Sequence, residues 1–370
     1  MSAMVIPYLY SVMKNRFWRS VQASSALVRY CLYLSRQSLC LKFSCLVATL
    51  FFSVHLCHAV VQTVDIRAGW NAVYLEVEPY STAPSDVFEG LSVECVAGYV
   101  GGGATRQYVT NPTVDLSRAS GWLRWYPSSE EHSFLSDLGE IYGGRGYLIK
   151  ASESFTLKIE GRPVVARTEW VPDSYNFVGF SVAERGGPTF YEFFEGSAAH
   201  RDQSIYRMQD GVWKKVISMT SEALAPGEAF WVFCNGSSDF QGPLQVAAPD
   251  TSGLVLMDSP LDLMLTNRSP NPVSYSVQHV IESGKPGVPL SLQMTILGDV
   301  NAPLRSVPVD FPSTSWSQDF PPIDGGFSIR MPVALRRGDL EIDAAQSYLL
   351  FESSLATRIW VPIKALSTSN

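Results

Sequence analysis

Two stretches of this chain carry the same motifs in the same order, and any fold must accommodate that duplication. Gly69-Trp70-Asn71-Ala72-Val73 is echoed by Ser174-Tyr175-Asn176-Phe177-Val178. Phe88-Glu89-Gly90 returns as Phe194-Glu195-Gly196. Gly144-Arg145-Gly146-Tyr147-Leu148-Ile149 is answered by Gly227-Glu228-Ala229-Phe230-Trp231-Val232. Each copy holds a Trp before its closing half, Trp122 and Trp213, and each ends on a Phe followed by a Gly-Pro region. We therefore expect two β-rich repeat units, at 62–164 and 165–248, the first enlarged by an insertion from Gly101 to Tyr126.

After residue 60 no stretch sustains a helical period. Short runs of Val, Ile, Leu, Tyr, Phe and Trp are broken by Gly, Pro, Asn, Asp and Ser, which predicts an all-β chain of short strands. Residues 84–89 and 189–194 have room for one short helical element each. A composition shift at Ala247-Ala248-Pro249-Asp250 marks a boundary. Beyond it, seven strands are predicted at 254–258, 261–267, 273–281, 290–297, 326–333, 346–352 and 358–365. Seven strands with turns between them fit an immunoglobulin-like sandwich over 250–366. Pro362 lies inside the last of these, which predicts an edge or bulged strand.

The Gly-Trp-Asn opening, the Gly-Arg-Gly-Tyr-Leu-Ile turn, the Pro-Asp-Ser-Tyr-Asn-Phe-Val-Gly-Phe restart and the tail Arg358-Ile359-Trp360-Val361-Pro362-Ile363 together resemble a known kind of module. Such β-rich repeat modules occur in large exported bacterial proteins of the planctomycete–verrucomicrobial type. The resemblance spans nearly all of 62–365 and implies an extracellular or envelope module that accompanies adhesive or sugar-binding domains. The second copy departs from it, with Tyr175 for Trp and Glu228-Ala229 for Arg-Gly, so what carries over is architecture.

Residues 1–59 read as a leader. They hold Lys14, Arg16, Arg19, Arg29, Arg36 and Lys42 and no Asp or Glu. Residues 43–56 form an apolar core too short for a spanning helix, and Cys57-His58-Ala59 offers small residues for cleavage after Ala59. Met13 is an alternative start. A retained membrane anchor is the competing reading. Without the leader, 22 Lys and Arg face 35 Asp and Glu, a net charge of about −13. An acidic surface repels a phosphate backbone and argues against nucleic acid as partner. The expected place is the cell envelope or the exterior, and the expected partner a cell-surface or extracellular protein or glycan.

Candidate chemistry is sparse. Cys95 and Cys234 remain after cleavage, either as a disulfide or as two buried thiols. His132, His200 and His279 share no ligand spacing and read as isolated surface or turn residues, so no metal and no cofactor is expected. No Gly-x-Ser-x-Gly elbow occurs, and Gly143-Gly144-Arg145-Gly146 reads as a positive-φ turn. Glu130, Glu131, Asp137 and Glu140 lie near aromatic residues, as a glycosidase pair would, but acidic loop residues are usually solvated. We therefore expect no catalytic residue. Tyr108, Trp122, Trp125 and Tyr126 of the insertion are the candidate ligand-binding residues. Planar aromatics stack on sugars, although Trp122 and Trp125 could equally roof a small core. Asn235-Gly-Ser237 and Asn267-Arg-Ser269 match glycosylation acceptors. The leading expectation is a non-enzymatic surface, envelope or matrix protein in adhesion or scaffolding. A carbohydrate-binding module is the alternative, and a glycoside hydrolase the least favoured.

Overall fold

Exposure alternates residue by residue along the strand Phe155–Pro163 and again along Val273–Val280, as it must where one face of a sheet meets a core. A computed structural model describes residues 60–100, 121–165, 167–184, 186–250, 252–282, 284–296, 305–340 and 344–366. The leader with its expected signal peptide, most of the insertion and Tyr108 lie outside the described residues. The chain is an all-β, sandwich-like protein.

The first part runs β1 (Val60–Ile66), β2 (Gly69–Leu75), β3 (Val77–Pro79), a helical turn α1 (Pro84–Val87), β4 (Val93–Tyr99), β5 (Trp122–Trp125), β6 (Arg145–Ala151) and β7 (Phe155–Pro163). Pro84 starts α1 where its missing N–H costs nothing. The strands make two antiparallel sheets, in the orders β1-β7-β3 and β2-β6-β4-β5. Ile66, Leu157 and Ile159 of one meet Val73, Leu75 and Ile149 of the other, and Phe88 closes the same core.

The second part runs β8 (Ser174–Gly179), α2 (Phe190–Phe194), β9 (Ile205–Gln209), β10 (Val212–Lys215) and β11 (Ala229–Cys234). Thr189 and Glu192 cap α2 reciprocally: the Thr189 hydroxyl accepts from the Glu192 N–H, and the Glu192 carboxylate from the Thr189 N–H. Asp210 and Gly211 both have positive φ, 52° and 76°, the geometry of a two-residue hairpin between β9 and β10. The sheet order β8-β11-β9-β10 matches β2-β6-β4-β5 strand for strand.

The recurring Asn explains itself here. Asn71 Oδ1 accepts from the Arg67 N–H at 3.0 Å while its Nδ2 donates to the Arg67 carbonyl at 2.7 Å. Asn176 brackets Val171 in the same way, at 2.8 and 3.1 Å. In both cases Nδ2 also reaches the carbonyl two residues back. The motif is a side-chain clamp on the turn that enters the strand. Gly144 and Gly227 sit at φ 72° and 71° before β6 and β11, as a tight turn requires.

The last part continues with β12 (Leu244–Ala247), β13 (Leu254–Leu256), β14 (Leu261–Asn267), β15 (Val273–Val280), β16 (Leu290–Ile296), β17 (Arg305–Asp310), β18 (Trp316–Ile323), β19 (Ser328–Leu335), β20 (Ala344–Ser353) and β21 (Arg358–Leu366). Two five-stranded sheets, β12-β14-β19-β16-β17 and β13-β21-β20-β15-β18, face each other across one apolar core. The seven expected strands are present, and β12, β17 and β18 join them. The expectation that Pro362 marks an edge or bulged strand is corrected, because β21 lies between β13 and β20 and pairs with both without a register shift. The Arg358 N–H points outward to the Ser181 carbonyl, so Pro362, four residues on, faces the same way. Pairing with β13 begins only at Ile363, so the absent proline N–H breaks no ladder.

The first two parts pack face to face. Ala72, Tyr74 and Leu148 of one sheet meet Phe177, Ala229 and Trp231 of the other in an aromatic layer. Two glycines let the backbones close up. A Cβ on Gly146 would lie 2.8 Å from the Phe177 ring, and one on Gly179 only 2.1 Å from Tyr74 Cγ. The Tyr74 N–H donates across the seam to the Gly227 carbonyl at 2.8 Å.

Candidate functional site

Beside that seam lies an open cleft of about 950 Å³. Thr63, Asp65 and Arg67, from β1 and the turn after it, line one side together with Trp70. The other side is formed by β9, its Asp210-Gly211 turn and the Gly227-Glu228 turn. Trp70, the signature aromatic of the first motif, is half-buried at the edge of the aromatic layer. Gly211 packs against the Trp70 backbone.

Glu228 stands where the first copy has Arg145, and the cleft shows why. Arg207 donates to it through Nε at 3.0 Å and Nη2 at 2.6 Å, a bidentate pair, with Glu222 at 3.5 Å. Burial pushes the Glu228 carboxyl above its usual range, and Arg207 pulls it back. Arg207 also lies over the rings of Phe190 and Phe230. Its charge is therefore consumed inside the protein.

A second, smaller cleft of about 380 Å³ lies where all three parts meet. Glu76, only 8% exposed, stands at its edge. The Ser181 hydroxyl donates to its carboxylate at 2.6 Å, and Arg358 approaches to 3.8 Å. Burial raises the Glu76 carboxyl, while Ser181 and Arg358 lower it.

Among the described residues, the candidate aromatics Trp122, Trp125 and Tyr126 do not form a shared surface. Trp122 is 6% exposed and belongs to the seam, with ring centroids 5.2 Å from Tyr99, 5.5 Å from Phe177 and 6.2 Å from Trp231. Trp125 stacks on Phe88 at 5.8 Å. Tyr126 lies beside the Cys95 thiol and 6.1 Å, ring to ring, from His132. The hydrogen-bonded candidate carboxylates have separate partners. Asp137 accepts from the Arg124 N–H, and Glu140 is bound by its neighbour Tyr142. Glu131 is exposed.

Cys95 and Cys234 are both buried free thiols, so no disulfide joins them. Burial pushes each up to about 11. The reading of the histidines as surface or turn residues holds for His132, which is exposed, and for His200, which sits in a turn, but not for His279, which lies inside β15. His200 is fully buried, with Nδ1 2.8 Å from the Ser197 hydroxyl and Nε2 without a partner. His279 is buried too, between the Ser347 hydroxyl at 2.7 Å and the Thr314 carbonyl at 3.2 Å. Nothing in the sequence marks His279 as buried, since its partners Thr314 and Ser347 lie far along the chain. Asn267 is fully buried and donates to the Asn271 and Ile323 carbonyls, so it offers no glycan site. Among the described residues no group of His, Cys, Asp and Glu is placed to hold a metal ion, and no helix is long and apolar enough to cross a membrane.

No protein-family model matches the chain, and no curated protein matches it. Solved structures overlap it, two of them of bacterial origin among others. One is the Enterococcus faecalis MSCRAMM ACE, described as binding its ligands by the collagen hug model. It is 6% identical, with a TM-score of 0.20 over 84% of this chain and 90% of that one. The other is Escherichia coli alpha-2-macroglobulin activated by porcine elastase. It is 11% identical, with a TM-score of 0.16 over 83% of this chain and 34% of that one. Overlaps this loose carry no argument about function.

Proposed function

We propose that the chain is exported and works outside the cytoplasm as a non-enzymatic scaffold or adhesion component. In this reading two duplicated β modules and a sandwich form one rigid body. The observation that carries it is where the chemistry-bearing side chains go. Trp122 and Trp231 hold the two modules together, and Glu76, Ser181 and Arg358 tie both to the sandwich. The charged and aromatic groups an enzyme would present to a substrate are spent on internal joints. Export is supported by the leader, whose expected cleavage after Ala59 leaves Val60, the first residue of β1, as the new terminus. Carbohydrate binding through the aromatic insertion has weaker support, because Trp122 faces inward. N-terminal sequencing of the protein recovered from envelope and external fractions tests the proposal. The expected terminus is Val60. Full-length protein confined to the cytoplasm would overturn it.

A further inference from the structure

We propose that the large cleft binds an extended polypeptide segment, which adds as a strand to the outer edge of β1. The inference goes beyond the export and scaffolding role and does not depend on where the protein resides.

The hydrogen-bond phase of the sheet sets which backbone groups are free. β7 lies between β1 and β3. The Tyr80 N–H donates to the Glu160 carbonyl, and the Val164 N–H to the Glu76 carbonyl, both at 3.3 Å. Residues 160, 162 and 164 therefore direct their backbone groups toward the β3 side. Gly161, Ile159, Leu157 and Phe155 then face β1, opposite Val60, Gln62, Val64 and Ile66. Val61, Thr63 and Asp65 must turn their N–H and C=O groups away from the sheet. The Arg67 N–H, next in that phase, does so and is taken by Asn71. No hydrogen bond among the described residues uses the six outward groups of Val61, Thr63 and Asp65.

An edge of this kind is usually blunted. Among the other sheet-ending strands, β10 carries Lys214 and Lys215, β17 carries Pro308, and β18 carries Pro321 and Pro322. The β2 edge is capped by the Gln62 side chain, which bonds the Tyr74 carbonyl and the Glu76 N–H. β1 reads Val-Val-Gln-Thr-Val-Asp-Ile, with no proline, no lysine and no bulge. Two of the three residues that bear its free edge, Thr63 and Asp65, line a cleft rather than an open surface. Main-chain donors and acceptors in a row are recognised by another main chain, and a cleft of this size admits a single strand more readily than a second folded domain.

The test pans a displayed library of random heptapeptides on the full-length chain, with Thr63→Pro as counter-screen. The Thr63 N–H points outward, so proline there removes an edge donor and leaves the pairing with β7 intact. Circular dichroism confirms that the variant folds, and Thr63→Val, which keeps the N–H, controls for the side chain. Peptides enriched on the parent and on Thr63→Val, and lost on Thr63→Pro, are expected. Each should slow hydrogen exchange at the Thr63 and Asp65 amides at least tenfold, and alternate N-methylation of the peptide should abolish binding. Equal enrichment on Thr63→Pro, or no enrichment at all, overturns the proposal. So does a concentration-dependent dimer of the parent that Thr63→Pro abolishes, since the edge would then serve a second copy.

Discussion

The Glu76 carboxylate and the Arg358 guanidinium approach to 3.8 Å, joining the end of β2 to the start of the last strand, almost the whole described chain apart. Between them the Ser181 hydroxyl donates to the same carboxylate. One buried acid therefore holds all three parts together.

Replacing Glu76 with Ala should cost about 2 kcal/mol, less than a fully buried pair because Arg358 retains some exposure. Denaturant titration reads it. The pH dependence has a definite sign. Burial raises the folded-state carboxyl above its unfolded value of 4.5, so the folded chain holds the proton longer. The advantage of the parent over Glu76→Gln should therefore shrink as pH rises upward from 4.5. A constant difference across that range would count against a buried, desolvated carboxyl.

Much of the sandwich was legible, and the exceptions have a common cause. Alternation marked β14 and β15 because each buries one face only, whereas β20, with Leu349 and Phe351 in the sandwich core and Tyr348 and Leu350 in a second cluster, was marked by its apolar run. β17 and β18 escaped because Pro308, Pro321 and Pro322 read as strand breakers. Both lie at the ends of their sheets, where a missing N–H costs nothing. The duplicated motifs were visible, but not the use of Asn71 and Asn176, since a clamp on the preceding turn leaves no periodic trace. The direction in which Trp122 points was undetermined, as a roof and a platform need the same residue. The β1 cleft is built largely from backbone groups, which no side-chain motif reports.

His200 makes the second part acid-sensitive. Burial lowers its pKa to about 4, its Nε2 has no partner, and Trp170 lies 3.9 Å away ring to ring. The unfolded chain takes up a proton near the ordinary value of 6.5, while the folded chain does not until about 4. Stability should fall as pH drops through that window, by about 3 kcal/mol in all. Trp170 fluorescence follows the loss during denaturant titrations. His200→Leu should flatten the dependence in this range. If the variant stays as acid-sensitive as the parent, His200 is not the responsible group.

The turn clamps should be worth more than their side chains suggest. Asn71→Ala and Asn176→Ala each leave a backbone N–H and a carbonyl without their partner, a cost of about 1–2 kcal/mol. Asn176 is 6% exposed and Asn71 lies nearer solvent, so water can replace part of what Asn71 supplies. Asn176→Ala is expected to be the more damaging in denaturant titration. The reverse order would contradict a clamp whose value comes from exclusion of water.

The seam between the first two parts can be tested as a fitted pair. Gly179 has an ordinary strand conformation, so Ala there is penalised only by space, and its Cβ would fall 2.1 Å from Tyr74 Cγ. Gly179→Ala should cost about 2 kcal/mol through overpacking. Tyr74→Ala alone should cost about 3 kcal/mol by opening a cavity in the aromatic layer. Together they should cost less than the sum by about 1 kcal/mol or more, because the new methyl enters the space the ring has left. A double-variant cycle in denaturant measures the coupling. Simple additivity would mean that the backbone yields at Gly179 and that the ring does not set the spacing of the two sheets.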